Sequence, residues 1–363
     1  MAKKLSSDPT LFAVTMGLLG LGLVMVWSAS SAVAQDKHQT SYYYLLRQLV
    51  PALLGLFVMG AAMKTDYRRL RQPAVVYGAV VVSTGLLIAV LFAPPVNDTH
   101  RWFRLGPLSF QPAELGKLSL ILFLAYHLER RGARVNEFLT SLFPALLLVG
   151  WLAFLIYIQP DLGTAANLVL ISGVMLFVAG VRLRYFAALA APAAFLLYRA
   201  VTGVGYRRDR IEAFLDPWSD ALGSGYQLVQ SLIAVGTGGI TGVGLMEGQQ
   251  KLFYLPYPFS DFIFAVVGEE LGLVGASAVV AAFTLLLWRG IRAAWHAPDD
   301  FGLYLAAGLT AAVALQAFVN LSVVLGLLPT KGIPLPFISA GGTSLVITLL
   351  SVGTILNVSQ HGD

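Results

Sequence analysis

Three acids stand close together in "SDFIFAVVGEELG": Asp261 opens an apolar run, and Glu269 and Glu270 lie about two helical turns further in. A carboxylate walled by apolar groups is lifted toward neutral pH, where it can work as a general base. The plainer role for Asp261 is a helix N-cap, because a carboxylate at the start of a helix satisfies orphan N–H groups. The two roles are compatible. Glu269 and Glu270 sit between Gly268 and Gly272, a small-residue spacing that permits close helix approach, so interhelical hydrogen bonding is their expected work.

Other ionisable residues recur beside apolar stretches. Glu114 and Lys117 stand three apart and share one helix face, either as a neutralised pair that eases passage through lipid or as part of a substrate path. Asp161, between Pro160 and Gly163, reads first as a turn and cap residue. Arg207, Arg208 and Arg210, with Arg101 and Arg104, form a basic set suited to lipid headgroups or to bidentate clamping of a phosphate or pyrophosphate. The glycine stretch 236–244 lacks both the Lys-Ser/Thr ending of a P-loop and the G-x-G-x-x-G spacing, so nucleotide binding is not expected. Cysteine is absent and the five histidines are scattered. Any metal would therefore be a hard divalent cation held by carboxylates.

The elements that must carry these residues are membrane helices. Of 363 residues, 57% are apolar and only 12% charged, well outside the composition of soluble domains. Apolar runs at 11–33, 47–63, 74–93, 112–128, 139–158, 163–181, 184–200, 262–288, 302–327 and 336–357 predict an all-α integral membrane protein of about ten transmembrane helices. The first run is too long for a signal peptide core and reads as a retained helix. Residues 1–363 read as a single polytopic domain, interrupted by a large loop, 201–261, between the seventh and eighth spans. Within that loop the amphipathic segment 225–235 is suited to lying along the membrane interface.

With both termini cytoplasmic, Lys3, Lys4, Lys64, Arg68, Arg69, Arg71, Arg130, Arg131, Arg134, Arg182, Arg184, Arg289 and Arg292 fall inside. Only Lys37, Arg47, Arg101, Arg104 and Lys331 fall in the short outer loops, as the positive-inside rule requires. The net charge of +5 is thus a topology signal, and nucleic acid is not an expected partner. On this topology Asp261, Glu114, Lys117 and Asp161 all approach one outward-facing region.

Several stretches closely resemble the SEDS family of bacterial cell-wall polymerases, which comprises the FtsW, RodA and SpoVE proteins. They are "HRWFRLGPLSFQPAELGKLSLILFLA", "QPDLGTA", "DPWSDALGSGYQLVQSLIAVGTGG", "GVGLMEGQQKLFYLP", "SDFIFAVVGEELGLVGA" and "LPTKGIPLPFISAGGTSL", in order along essentially the whole chain. "GSGYQLVQSLIA" and "LPTKG" are similar to division-type rather than elongation-type members. Two departures stand out. Ala340 occupies a place usually held by Tyr, and "PYPFSD" replaces a commoner Pro-Glu-x-His-Thr-Asp.

The resemblance implies a peptidoglycan glycosyltransferase acting on lipid II, a disaccharide-pentapeptide joined by pyrophosphate to a polyprenyl tail, at the division septum of the bacterial cytoplasmic membrane. It implies Asp261 as the essential acid and Glu114 with Lys117 as a cavity pair. Arg101, Arg207, Arg208, Arg210, Asp161 and Lys331 complete the expected substrate-binding set. A leaving pyrophosphate calls for Arg, Lys or a divalent cation, so no cofactor beyond such a cation is expected. The implied partners are a class B penicillin-binding protein supplying the transpeptidase, together with other division proteins. The rival readings are a lipid II flippase, an elongation-type polymerase and an inactive scaffold.

Overall fold

The computed structural model describes residues 7–95, 99–105 and 108–362; Lys3 and Lys4 of the charge argument lie outside the described residues. Its helices are α1 (Pro9–His38), α2 (Tyr43–Lys64), α3 (Pro73–Ala89), α4 (Pro112–Arg131), α5 (Phe143–Ile158), α6 (Leu162–Val178) and α7 (Leu183–Thr202). Then follow α8 (Gly205–Leu215), α9 (Tyr226–Thr237), α10 (Ile263–Trp295), α11 (Asp300–Val324) and α12 (Gly342–Ser359). A two-stranded hairpin, Phe103–Leu105 against Leu108–Phe110, precedes α4.

Each apolar run read from the sequence corresponds to one of these helices. Among the described residues, eight helices are long and apolar enough, by length and composition, to cross a membrane. α6 is apolar but shorter, and α4 carries Glu114, Lys117, Glu129, Arg130 and Arg131 within its length. The outward surfaces of α3, α5 and α7 are greasy: Val81, Phe154 and Leu196 are exposed, as a lipid-facing surface requires. No described side chain of α7 is buried, whereas α11 and α12 are mostly buried and form the core with α4 and the first turns of α10.

One end of the bundle, here the base, is fastened by charge. Asp8 caps α1 by accepting from the backbone N–H groups of Thr10 (3.0 Å) and Leu11 (3.1 Å), and Arg289 of α10 donates to its other oxygen at 2.6 Å. Asp299 caps α11 from Gly302 N–H (2.8 Å) and also accepts from the Tyr67 hydroxyl (2.7 Å) and Arg68 (3.0 Å). A carboxylate at a helix start gains from the dipole as well as from the bonds.

Three features depart from the sequence reading. The 201–261 segment is not an open loop, since it holds α8 and α9. Of these, α9 buries Leu228, Val229 and Ala234 and packs on α10, with the Ser231 hydroxyl donating to Val324 O at 2.8 Å. The last span starts late: residues 331–341 are irregular because Pro334 and Pro336 withhold backbone donors, and α12 begins only at Gly342. The long helix α10 is broken at Gly272, whose φ of 64° and ψ of −164° suit glycine alone.

The most extensive helix pair is α2 with α12, and small residues allow it. A Cβ on Gly353 would stand 2.6 Å from Met59 O, so Gly353→Ala should lower stability by about 1–3 kcal/mol through overpacking. Gly60 has nothing within 4 Å of the same added atom, and Gly60→Ala should cost nothing. Thermal unfolding of the two variants in detergent reads the difference.

Candidate active site

Glu114 and Lys117 occupy the first two turns of α4, where Pro112 at the helix start fixes the entry of the chain. Their spacing closes an ion pair of 2.9 Å, with both side chains buried. Lys117 also donates to Gln316 Oε1 of α11 at 2.9 Å, and Gln316 Nε2 donates to Pro334 O at 2.9 Å. An open cleft of about 310 Å³ is lined by this pair with Gln316, Thr348 and Ser351. The ion pair is therefore neutralised and borders a cleft whose other walls include Leu118, Ile121, Val313 and Ile347.

One turn further along α11, Asn320 Nδ2 donates to Asp261 O (2.8 Å) and to Ile333 O (2.7 Å). This amide ties the start of α10 to the irregular 331–341 segment. Ser339 Oγ donates to Ser260 O at 2.6 Å, Ala340 N–H donates to Phe259 O at 2.9 Å, and Gln48 Nε2 donates to Ser339 O at 3.2 Å. The backbone on both sides of Asp261 is thus pinned, while its carboxylate accepts no hydrogen bond from the described residues. The carboxylate rests against Gly332, where a Cβ would stand 2.8 Å from Asp261 Oδ2.

This corrects the capping reading of Asp261. The cap position of α10 is Phe262, which makes no side-chain cap bond, and Asp261 lies one residue before it. Asp261 reaches the surface only in part and is surrounded by protein atoms. Burial pushes its carboxyl up to about 6, against the pull of Arg210 and then Arg101, with Asp161 adding to the rise. Lys331 beside Gly332 is held below the usual lysine range by burial and by Arg210 and Arg207, with Asp161 opposing. Two aspartates, two arginines and a lysine thus share one neighbourhood.

Asp161 does the turn work its sequence context suggested. It caps α6 by accepting from Thr164 N–H at Oδ1 (3.1 Å) and from Thr164 Oγ1 at Oδ2 (2.9 Å), and Gln111 Nε2 reaches the same Oδ2 at 3.5 Å. Arg101 stands 4.0 Å from it while donating to Gln159 O at 2.9 Å and to Pro160 O. Arg101 therefore braces this turn and contributes charge from the side.

The arginines of α8 separate. Arg210 turns toward the site, with Nη1 reaching Thr330 O at 3.4 Å. Arg207 is buried, donates to Ala200 O at 2.8 Å and lies over the rings of Tyr157 and Tyr206, so it packs α8 against the bundle. Arg208 is not brought to the site: it pairs with Glu212 at 2.7 Å on an exposed face, and Arg104 is exposed on the hairpin.

A resident divalent cation would need clustered carboxylates. Among the described residues no three of His, Cys, Asp and Glu come together, and the Asp161 oxygens are already engaged. The residues present do not make a cation cage.

Glu269 and Glu270 lie elsewhere. Glu270 pairs with Lys251 at 2.6 Å and accepts from Ser28, while Glu269 accepts from the N–H groups of Gln249 and Gln250. Gln316, Asn320, Gly332 and Lys251 were missed by motif reading. The amides had a signal, two polar residues four apart on an otherwise apolar helix.

Lys117→Met should destabilise the fold by about 3–5 kcal/mol, because it strands a buried carboxylate. The pair Glu114→Gln with Lys117→Met should recover most of that loss in the same thermal unfolding measurement.

Residues 9–363 match the model of the family described as cell cycle protein, FtsW/RodA/SpoVE. The chain is 44% identical over 358 residues to a Geobacter sulfurreducens protein named probable peptidoglycan glycosyltransferase FtsW, covering 98% of this chain and 95% of that one. It is 42% identical over 363 residues to stage V sporulation protein E of Bacillus subtilis, covering 99% and 98%. A solved structure described as the structural coordination of polymerization and crosslinking by a peptidoglycan synthase complex matches with a TM-score of 0.80 at 33% identity, covering 98% of each chain. The crystal structure of the Thermus thermophilus rod shape determining protein RodA matches with a TM-score of 0.71 at 30% identity, covering 98% and 97%. A match over nearly the whole chain in sequence and in fold places it in the FtsW/RodA/SpoVE family.

Proposed function

We propose that this chain is a peptidoglycan glycosyltransferase that polymerises lipid II during septal wall synthesis, with Asp261 as its general base. The observation that carries the reading is the Asp261 carboxylate itself: fixed through its backbone, raised to about 6, free of hydrogen bonds from the described residues and flanked by cations. Relatives named probable peptidoglycan glycosyltransferase FtsW, and a neighbour described as a peptidoglycan synthase complex, support it.

A sugar hydroxyl is a weak nucleophile at neutral pH. Asp261 accepts its proton as the oxygen attacks the anomeric carbon of a second lipid II, forming the new glycosidic bond. The bond from that carbon to the pyrophosphate oxygen breaks, and the leaving polyprenyl pyrophosphate takes the electron pair. Arg210, Arg101 and Lys331 stand where that growing negative charge is stabilised. The Glu114–Lys117 pair lines the adjoining cleft and orients polar groups of the substrate.

Arg68, Arg71, Arg130, Arg131, Arg289 and Arg292 gather at the base of the bundle, which supports a cytoplasmic base and termini with the site outward. A class B penicillin-binding protein is the proposed partner, since one matched structure joins polymerization to crosslinking.

The test uses purified protein in liposomes with fluorescent lipid II, with the partner's transpeptidase site blocked. Wild type should form glycan ladders, while Asp261→Ala and Asp261→Asn should lose at least about 10²-fold in rate. The buried ion pair beside a cleft also suits transport. Lipid II crossing the bilayer without ladders from any sample would replace the polymerase reading with a flippase.

Two further outcomes follow from the same geometry. A base works only when deprotonated, so lowering the pH through about 6 should cut the rate about tenfold per further unit. Arg210→Ala should slow polymerisation by at least about tenfold through lost charge stabilisation, whereas Arg208→Ala should leave it within about twofold.

A further inference from the structure

The break in α10 is filled by another part of the chain. Without a helical turn at Gly272, the carbonyls of Glu269 and Glu270 lose the N–H groups of Leu273 and Val274 four residues on. The glycine segment supplies the replacements. Val243 N–H donates to Glu269 O (3.0 Å) and Gly244 N–H to Glu270 O (3.2 Å), while Leu273 N–H donates to Gly239 O (2.9 Å) and Val274 N–H to Ile240 O (3.1 Å). Gly238 and Gly242 are required there, because a Cβ on either would collide with the carbonyl of Gly268 or Glu270.

Side chains then lock the inserted segment in place. Glu270 accepts from Lys251 (2.6 Å), from Ser28 of α1 (2.6 and 2.7 Å) and from Met246 N–H (3.1 Å). Lys251 donates to Ser28 as well, at 2.9 Å. The lysine and the glutamate are almost wholly buried.

The first nine residues of α10, Ile263–Leu271, therefore form a separate short rod. Asp8 marks a common height at the base, since Arg289 pairs with it and its N–H reaches Ser359 Oγ. From there Glu270 lies about 28 Å up α10 and the start of α12 about 25 Å up, at 1.5 Å per residue. Ser260 is bonded to Ser339, just before α12, so both ends of the rod are held at similar heights and it runs across the bundle. Asp261 sits at one end and the lock at the other.

We propose that Lys251, Glu270 and Ser28 are positioning residues for Asp261, setting the place of its carboxylate by clamping the far end of the rod that carries it. The inference rests on Asp261 acting as the base. A tilt of about 5° on a rod of about 13 Å moves the carboxylate by about 1 Å. Misplacement of that size can cost on the order of 10²-fold in rate.

The experiment compares wild type, Asp261→Ala, Ser28→Ala and the double variant Lys251→Met with Glu270→Gln in the lipid II assay, with thermal unfolding of each. The double variant removes both charges together and strands neither. It should remain folded with KM within about twofold of wild type and kcat lowered about 10- to 100-fold. Its acid limb should move below pH 6, as a loosened carboxylate gains water while Arg210, Arg101 and Asp161 stay in place. A folded double variant with wild-type kcat and an unmoved limb overturns the proposal. Should the double variant not fold, Ser28→Ala decides: it keeps the ion pair, and wild-type kcat with an unmoved limb in that variant overturns the proposal equally. An active Asp261→Ala would instead remove the base reading itself, so the two failures are distinguishable.

Discussion

Lipid offers no hydrogen bonds, so the backbone groups and buried charges that this chain carries into its bundle are stable only where the protein supplies partners. That constraint explains the architecture better than apolar packing does, because apolar side chains are as well solvated by lipid as by one another. Where a helix crosses without interruption the backbone satisfies itself. Where it breaks, at Gly272, a glycine segment supplies the missing donors and acceptors in register. Where Lys117 enters, Glu114 and Gln316 meet it at 2.9 Å each. The same demand joins distant parts of the sequence: Ser28, Lys251 and Glu270 come from α1, the long connection and α10.

The irregular segment before α12 shows how such a demand makes a site. Pro334 and Pro336 prevent the chain from entering a helix, and its freed carbonyls then need donors. Gln316 and Asn320 provide them from adjacent turns of α11, and Gln48 does so from α2. The late start of α12 leaves irregular backbone beside Asp261, and Asn320 bonds the carbonyls of both Ile333 and Asp261. The anchoring of Asp261 is thus shared with the backbone that two prolines keep out of a helix.

The apolar runs and the charge asymmetry were legible in the sequence because each depends on a single segment's composition. Glu114 with Lys117 was legible because three-residue spacing fixes a shared helix face. Arg208 could not be told from Arg210, since α8 was unforeseen and residues two apart on a helix point to nearly opposite sides. The break at Gly272 was hidden among apolar neighbours, and the groups that satisfy it come from residues 239–244, a tertiary fact with no local signature. No motif marked Lys251, which follows Gln249 and Gln250 and precedes Leu252 and Phe253 in the long connection.

Asp161 and Asp261 carry the same side chain within one neighbourhood and are set to different work by their surroundings. Asp161 accepts from Thr164 twice, which stabilises the anion and commits its lone pairs to the helix start. Asp261 is pinned through its carbonyl by Asn320, and among the described residues its carboxylate meets the close wall of Gly332 and accepts no hydrogen bond. The anchoring is spent on the backbone, and the reactive oxygens are left to burial and to the field of Arg210 and Arg101. A base must be held still without having its charge satisfied in advance, and fixing the residue by its main chain achieves both.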